Sequence, residues 1–264
     1  MSRTLAAALF AATFVGCHVF PDPPNGWEGD FNPEAVLDKV SAKLGLDATK
    51  EDEAKDFSAT ATVTHFEGEK PIEAGYSVRW KSPDRWSLEK AIGGQHVKRV
   101  FDGKTCTELT NGKVTKADLP PGEDGVDHLF RHLYATRYFR EGRGSAPEID
   151  EVFQLKEGGQ AVRIGKFSPD GHRLVLSIDA KTLLPLAMRE WVPVGPADQE
   201  RFDAVDTFFS DYRADSRGIL VPRTLRSWVG GKMIQEMKVA DARWNTGITD
   251  AEFTTPAAAA SPGR

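Results

Sequence analysis

The chain has 264 residues, with 34 lysines and arginines against 39 aspartates and glutamates (net charge −5), and is 40% apolar and 9% aromatic. That balance excludes a disordered, collagen-like or membrane-bundle chain, and the acidic excess argues against nucleic acid as a partner. At about 100–200 residues per domain, the length allows one large domain or two small ones, with ample material for a core.

Residues 1–16 carry one cation, Arg3, and then an apolar run from Leu5 to Gly16 that is too short to span a bilayer. This reads as a signal peptide. At its end, Phe14-Val15-Gly16-Cys17 sets a cysteine directly after a small residue. The junction resembles the lipobox of bacterial lipoproteins, with Phe14 where Leu is usual. The resemblance implies cleavage before Cys17, lipidation of its sulfur, and a mature protein anchored to a membrane without spanning it. An ordinary secretory signal with an incidental cysteine, or an uncleaved apolar anchor, are the alternatives. Each of these takes the chain out of the cytosol, and the lipoprotein reading places it in the cell envelope, facing the periplasm. Cys106 is the one other cysteine, so neither a disulfide nor a cysteine zinc site is expected.

Pro21, Pro23, Pro24 and Asn25-Gly26 make residues 17–31 a lipidated N-terminus and extended tether. Asn32-Pro33-Glu34 supplies an N-cap, a proline at the first helical position and an acid in the first turn. Val36, Leu37, Val40 and Leu44 follow at helical spacing, and the helix ends near Gly45.

From Phe57 the period changes to two: Phe57, Ala59, Ala61 and Val63 alternate with polar residues, as do Ala74, Tyr76, Val78 and Trp80. A Ser82-Pro83-Asp84 turn leads into Arg85–Glu89, and Asp102-Gly103 separates His96–Phe101 from Thr105–Leu109. Val126–Phe139 returns to helical spacing through Leu129, Phe130, Leu133 and Tyr134. Strand patterns then run through Val152–Leu155, Ala161–Phe167, Leu174–Ile178, Leu186–Val192, Val205–Arg213, Ile219–Val229 and Met233–Ala242. Gly93-Gly94, Gly158-Gly159 and Gly230-Gly231 read as hairpin turns, and residues 257–264 as a loose tail.

The expected fold is therefore mainly β (α+β): a helix, about five strands, a helix and about seven more strands, in one domain over residues 32–256. Strand twist accumulates in so large an antiparallel sheet, which is expected to curl into an incomplete barrel with helices covering its concave side. Such a half-barrel can enclose an apolar cavity.

Tyr76-Ser77-Val78-Arg79-Trp80-Lys81-Ser82-Pro83-Asp84-Arg85-Trp86-Ser87-Leu88-Glu89, with Val100-Phe101-Asp102-Gly103-Lys104-Thr105 after it, resembles the sheet segment of the LolA/LolB family of lipoprotein carriers. There a strand ends at a Lys-Arg-Pro turn, the next begins with an aromatic residue, and a later hairpin turns on Asp-Gly-Lys. The ending Asp250-Ala251-Glu252-Phe253-Thr254-Thr255-Pro256 is similar to the family's terminal Phe-x-x-Pro. Ser82 stands where the soluble carrier has arginine, and a lipidated chain is closer in form to the membrane-bound acceptor.

The resemblance implies an envelope protein that binds the acyl chains of lipid or lipoprotein in an apolar cavity, as carrier or acceptor in lipoprotein sorting. On that reading Tyr76, Val78, Trp80, Trp86 and Leu88 form the cavity wall, and Leu129, Phe130 and Leu133 a lid. The partners are a lipid or acylated lipoprotein, the membrane through the anchor, and an envelope protein.

Signals for catalysis are weak. His128 and His132 are four apart on the predicted helix near Glu123, Asp124 and Asp127, but Leu129 stands where the zincin motif needs its glutamate, so two solvated histidines are the expected alternative. Neither a Gly-x-Ser-x-Gly elbow nor a Gly-rich nucleotide motif is present. No catalytic residue, metal ligand or cofactor is assigned, and the chain is expected not to be an enzyme. Two other functions stay open, a non-catalytic envelope module that senses or binds another protein, and a hydrolase.

Overall fold

In the computed structural model, residues 21–46, 55–66, 70–82, 85–119, 132–141, 144–168, 171–194 and 201–254 are described. Helix α1 (Pro33–Leu44) starts where Asn32 Oδ1 accepts from the Ala35 amide, with Pro33 in its first turn. It ends at Gly45, whose φ of 77° is the left-handed cap that glycine adopts without strain.

The first meander runs β1 (Asp56–His65), β2 (Ile72–Lys81), β3 (Arg85–Ile92), β4 (Gln95–Phe101), β5 (Cys106–Thr110) and β6 (Lys113–Leu119). Helix α2 (Ala135–Glu141) follows. The second meander runs β7 (Glu148–Gln154), β8 (Gln160–Phe167), β9 (Arg173–Asp179), β10 (Pro185–Val194), β11 (Arg201–Ala214), β12 (Leu220–Val229) and β13 (Lys232–Trp244), and Asp250–Phe253 forms a closing 3-10 turn.

All described strands belong to one 13-stranded antiparallel sheet in the order β6-β5-β4-β3-β2-β1-β13-β12-β11-β10-β9-β8-β7. Within each meander every strand neighbours its predecessor in the chain, and β1 pairs with β13 and so joins the two meanders. The sheet is not closed into a barrel: β6 and β7 are its two edges. The mainly β expectation therefore holds as one open antiparallel sheet.

The strand count exceeds the expectation by β6, whose hairpin with β5 turns on Asn111-Gly112. Both residues take positive φ (50° and 78°), the backbone that a two-residue hairpin requires. Of the predicted helix Val126–Phe139, the described part is a turn from His132 and then α2; residues 126–131 lie outside the described residues.

Val36, Leu37, Val40 and Leu44 of α1 are buried in one cluster with Leu133, Tyr134, Ala135 and Phe139, and with strand residues including Ile164, Leu176, Ile178 and Met188. The two helices pack on each other, and α2 packs on β9 and β10. A smaller cluster of Val100, Leu109, Ile248 and Phe253 forms where the 3-10 turn closes against β4 and β5. No described helix is long and apolar enough to cross a membrane.

Candidate functional site

The pairing of β13, β1, β2, β3, β4 and β5 sets side chains in rows across the sheet. One row is almost wholly aromatic: Trp244, Phe57, Trp80, Trp86 and Phe101, ending at Cys106. Its rings touch, with centroids 4.8 Å apart for Phe57 and Trp244, 6.3 Å for Trp80 and Trp244, and 6.0 Å for Trp86 and Phe101. Tyr134 closes it from above, 5.4 Å from the Trp244 ring.

The next rows on the same face carry much less volume. Ala59 faces Val78, which faces Leu88; Ala61 faces Tyr76 on one side and Val239 on the other. A face that changes from indole and phenyl rings to alanine within two residues leaves space above its floor. That space is an open pocket of about 460 Å³ lined by Ala59, Ala61, Tyr76, Val78, Leu88, Ile92, Val97, Met237 and Val239, with Lys90, Arg99 and Glu108 on the β3–β5 side and Gln235 and Thr60 at its margin. Its volume falls in the range of about 300–1,000 Å³ usual for small-molecule sites, and its lining has their mostly apolar character with a few polar groups.

The charged groups are ordered. Arg99 Nε donates to Glu108 Oε2 at 3.0 Å and Lys116 Nζ lies 3.1 Å from Oε1, so Glu108, nearly buried, is flanked by two cations. Hydrogen bonds from Arg99 and then Lys116 hold its carboxyl below the usual range. Lys90 stands apart, its ammonium 5.4 Å from the centre of the Tyr76 ring, and it has no carboxylate partner among the described residues.

Of the residues that sequence reasoning assigned to a wall, Tyr76, Val78 and Leu88 meet at this pocket. Trp80 and Trp86 lie in the aromatic row below and pack against the main core. Leu133 is buried in that core and is not among the pocket-lining residues; Leu129, Phe130 and Cys17 lie outside the described residues. The lining from β1, β13, β4 and β5 was not anticipated. Alternation placed Ala59 and Ala61 on one face, but their neighbour Val239 is distant in sequence and local pattern does not reveal it.

His132 is not solvated: it is buried, its ring packs edge-on to Phe209 with centroids 6.1 Å apart, and its Nε2 lies 3.4 Å from Glu190 Oε1. His128 lies outside the described residues. Among the described residues, no group of three or more His, Cys, Asp or Glu side chains is placed to hold a metal ion.

No protein-family model matches the sequence, and no curated protein matches it. Solved structures do. A LolA superfamily protein of Nitrosomonas europaea superposes with a TM-score of 0.55 at 10% identity, over 85% of this chain and 98% of the other. A DUF1329 family protein of Desulfovibrio piger gives 0.53 at 12% identity, over 85% and 98%. A domain described as that of an outer membrane lipoprotein-sorting protein, from Vibrio parahaemolyticus, gives 0.50 at 10% identity, over 83% and 95%. At these identities the likeness is one of fold, and the fold of this chain is LolA-like.

Proposed function

We propose that this protein is an envelope lipoprotein, anchored through Cys17 and facing the periplasm, that binds acyl chains of lipid or of lipoprotein in the pocket above the aromatic row, as a carrier or acceptor and not as an enzyme. The observation that carries the proposal is the pocket itself, about 460 Å³ of open space between small and aliphatic side chains in the middle of the sheet. The LolA-like fold supports it, because one structural neighbour is described as a lipoprotein-sorting domain.

Leu133 is core here, beside the hydrogen-bonded Tyr134, so we place ligand access at the open side of the pocket and not behind this turn. Burial of apolar surface at about 25 cal/mol per Å² drives such binding, and nothing in the lining has to react with the ligand.

Native mass spectrometry of the purified soluble domain is expected to show co-purified lipid, and a fluorescent fatty acid is expected to bind. Ala61→Trp fills the pocket from β1 and is expected to weaken that binding at least tenfold with the melting temperature retained; Leu88→Phe is the milder variant if it is not. Unchanged binding in both folded variants, with no lipid in the mass spectrum, overturns the proposal.

A second reading, a module that binds another envelope protein, is favoured by Phe202 and Phe208, which are 45% and 50% exposed on β11. Loss of partner capture in a Phe202→Ser, Phe208→Ser protein that still binds lipid would support it.

A further inference from the structure

The lining of the pocket is sorted by strand. Its residues come, in sheet order, from β13, β1, β2, β3, β4 and β5. Those of β13, β1 and β2 are uncharged, and the three charged residues, Lys90, Arg99 and Glu108, stand on β3, β4 and β5 in turn. Lys116 of β6 faces Glu108 across the next strand pair. One end of the pocket thus has three cations to one carboxylate, and the other end has no charge in its lining.

The dimensions fit one acyl chain. Neighbouring strands are about 4.8 Å apart, so the five steps from β13 to β5 cover about 24 Å. At the 30 Å³ or so that a water-sized group takes in a liquid, the volume of about 460 Å³ holds about 15 methylenes. Carbon–carbon bonds of about 1.52 Å meeting at about 111° advance about 1.25 Å per carbon, so an extended chain of that length covers about 19 Å. Laid across the strands, it fills the pocket and leaves about one strand spacing for a polar end.

A second chain finds no wall. Leu225, on the strand beyond β13, is buried in the main core, and the aromatic row borders the pocket along β1, β2 and β3. Further methylenes would stay in water and add no apolar burial. The direction of the chain follows from the charges. An anionic head at the β13 end would give up water where the lining offers it no cation, whereas at the other end it meets Lys90, which has no carboxylate partner among the described residues.

We infer that the pocket takes a single-chain anionic amphiphile, such as a fatty acid or a lysophospholipid, lying across the strands with its tail over β1 and β13 and its head toward β4 and β5. The inference rests on the acyl-binding reading above and narrows it: of the chains of a lipoprotein, the pocket holds one.

The test uses the mature chain with Cys17→Ser, so that no acyl group of its own competes. Stearic acid carrying a nitroxide on carbon 16 is expected to broaden the amide resonances of Ala61 and Val239 more than those of Val97 and Glu108. A nitroxide on carbon 5 is expected to reverse that order, and unlabelled palmitate to relieve both effects. Reversed or uniform broadening overturns the orientation. In competition against a fluorescent fatty acid, palmitoyl lysophosphatidylglycerol is expected to bind at least tenfold tighter than dioctanoyl phosphatidylglycerol, which divides the same number of acyl carbons between two chains. Equal or tighter binding of the two-chain lipid overturns the single-chain inference and leaves the acyl-binding reading standing. Absence of binding by every one of these probes overturns that reading, and the inference with it.

Discussion

Lys81 Nζ lies 2.6 Å from Asp250 Oδ1, and Arg85 reaches the other carboxylate oxygen of Asp250 at 2.6 Å. The β2–β3 turn and the closing 3-10 turn, distant in sequence, are thereby joined. Arg79 adds a 3.1 Å pair to Glu252, and Phe253, 1% exposed, closes over Val100 and Leu109. The two sequence features that most resemble the LolA/LolB pattern are thus parts of one contact.

The ion pairs and Phe253 are expected to contribute unequally. Hydrogen bonds from Lys81 and then Arg85 hold the Asp250 carboxyl below its ordinary range. A carboxylate with a lower pKa folded than unfolded gives stability that is complete above the unfolded pKa and is lost as pH falls through the folded one. The difference in melting temperature between wild type and Asp250→Asn is therefore expected to be flat above about pH 5 and to close below about pH 4. Because Asp250 is exposed, the difference is small and shrinks with salt. Phe253→Ala, which leaves a cavity, is expected to cost about 3–5 kcal/mol at any pH. An Asp250→Asn effect that matches it would reverse this ranking.

Asp56 is a second connector. Its Oδ1 accepts from the Thr246 amide at 2.6 Å and hydroxyl at 2.9 Å, and its Oδ2 from the Gly247 and Ile248 amides at 3.0 and 3.3 Å. One buried carboxylate at the start of β1 thus satisfies three backbone donors that follow β13. Asp56→Ala is expected to lower unfolding free energy by about 2–4 kcal/mol in urea titration, because those donors lose a charged acceptor. Asp56→Asn, which keeps an oxygen, is expected to lose less, and equal losses would show that the acceptors are not what matters.

Tyr134 ties the turn before α2 to the sheet. Trp244 Nε1 donates to its hydroxyl at 2.7 Å, and the hydroxyl donates to Asp215 Oδ2 at 3.0 Å. Burial, then the Asp215 charge, pushes the phenol well above its usual range, so it remains a donor at any working pH. Tyr134→Phe keeps the ring and is expected to cost about 1–3 kcal/mol. Hydrogen exchange in residues 132–141 is expected to accelerate with it; unchanged protection there would show that packing alone fixes the turn.

Most of this fold is legible in local pattern. Asn32-Pro33-Glu34 marks α1, and Asp102-Gly103 marks a hairpin because the Asp102 carboxylate accepts from the Lys104 and Thr105 amides, each at 2.8 Å. β6 had the same kind of signal in Asn111-Gly112, but its strand carries little apolar alternation beyond Val114, and it is an edge. The pairing of β1 with β13 has no local signature, and it sets Val239 and Met237 beside the alanines. The pocket is therefore half legible: the residues of β2 and β3 could be named, but the emptiness depends on which strand lies across from Ala61.

A buried carboxylate reports on the pocket face directly. Val78, 2% exposed, stands between Ala59 and Leu88. Val78→Asp is expected to lower stability by about 3 kcal/mol or more, whereas Ser77→Asp, on the opposite face of the same strand, is expected to lose much less. Equal melting temperatures for the two would place the apolar face on the wrong side of β2.

The relative weight of chain and headgroup in the pocket follows from its lining. Arg99 is offset by Glu108, so Lys90 is the cation left to meet a ligand, and it is only half-buried. An exposed charge pair contributes about 0.5–1 kcal/mol, so an anionic amphiphile is expected to bind about 2–5-fold tighter than its neutral counterpart of equal chain length. Lys90→Met is expected to abolish that preference and leave the neutral ligand's affinity in place. Removing two methylenes from the chain withdraws about 1.6 kcal/mol of apolar burial, about fifteenfold in affinity. Chain length is thus expected to outweigh headgroup charge in competition against a fluorescent fatty acid. Should affinity follow charge and ignore chain length, the alanine-lined space above Trp80 and Phe57 is not where the ligand lies.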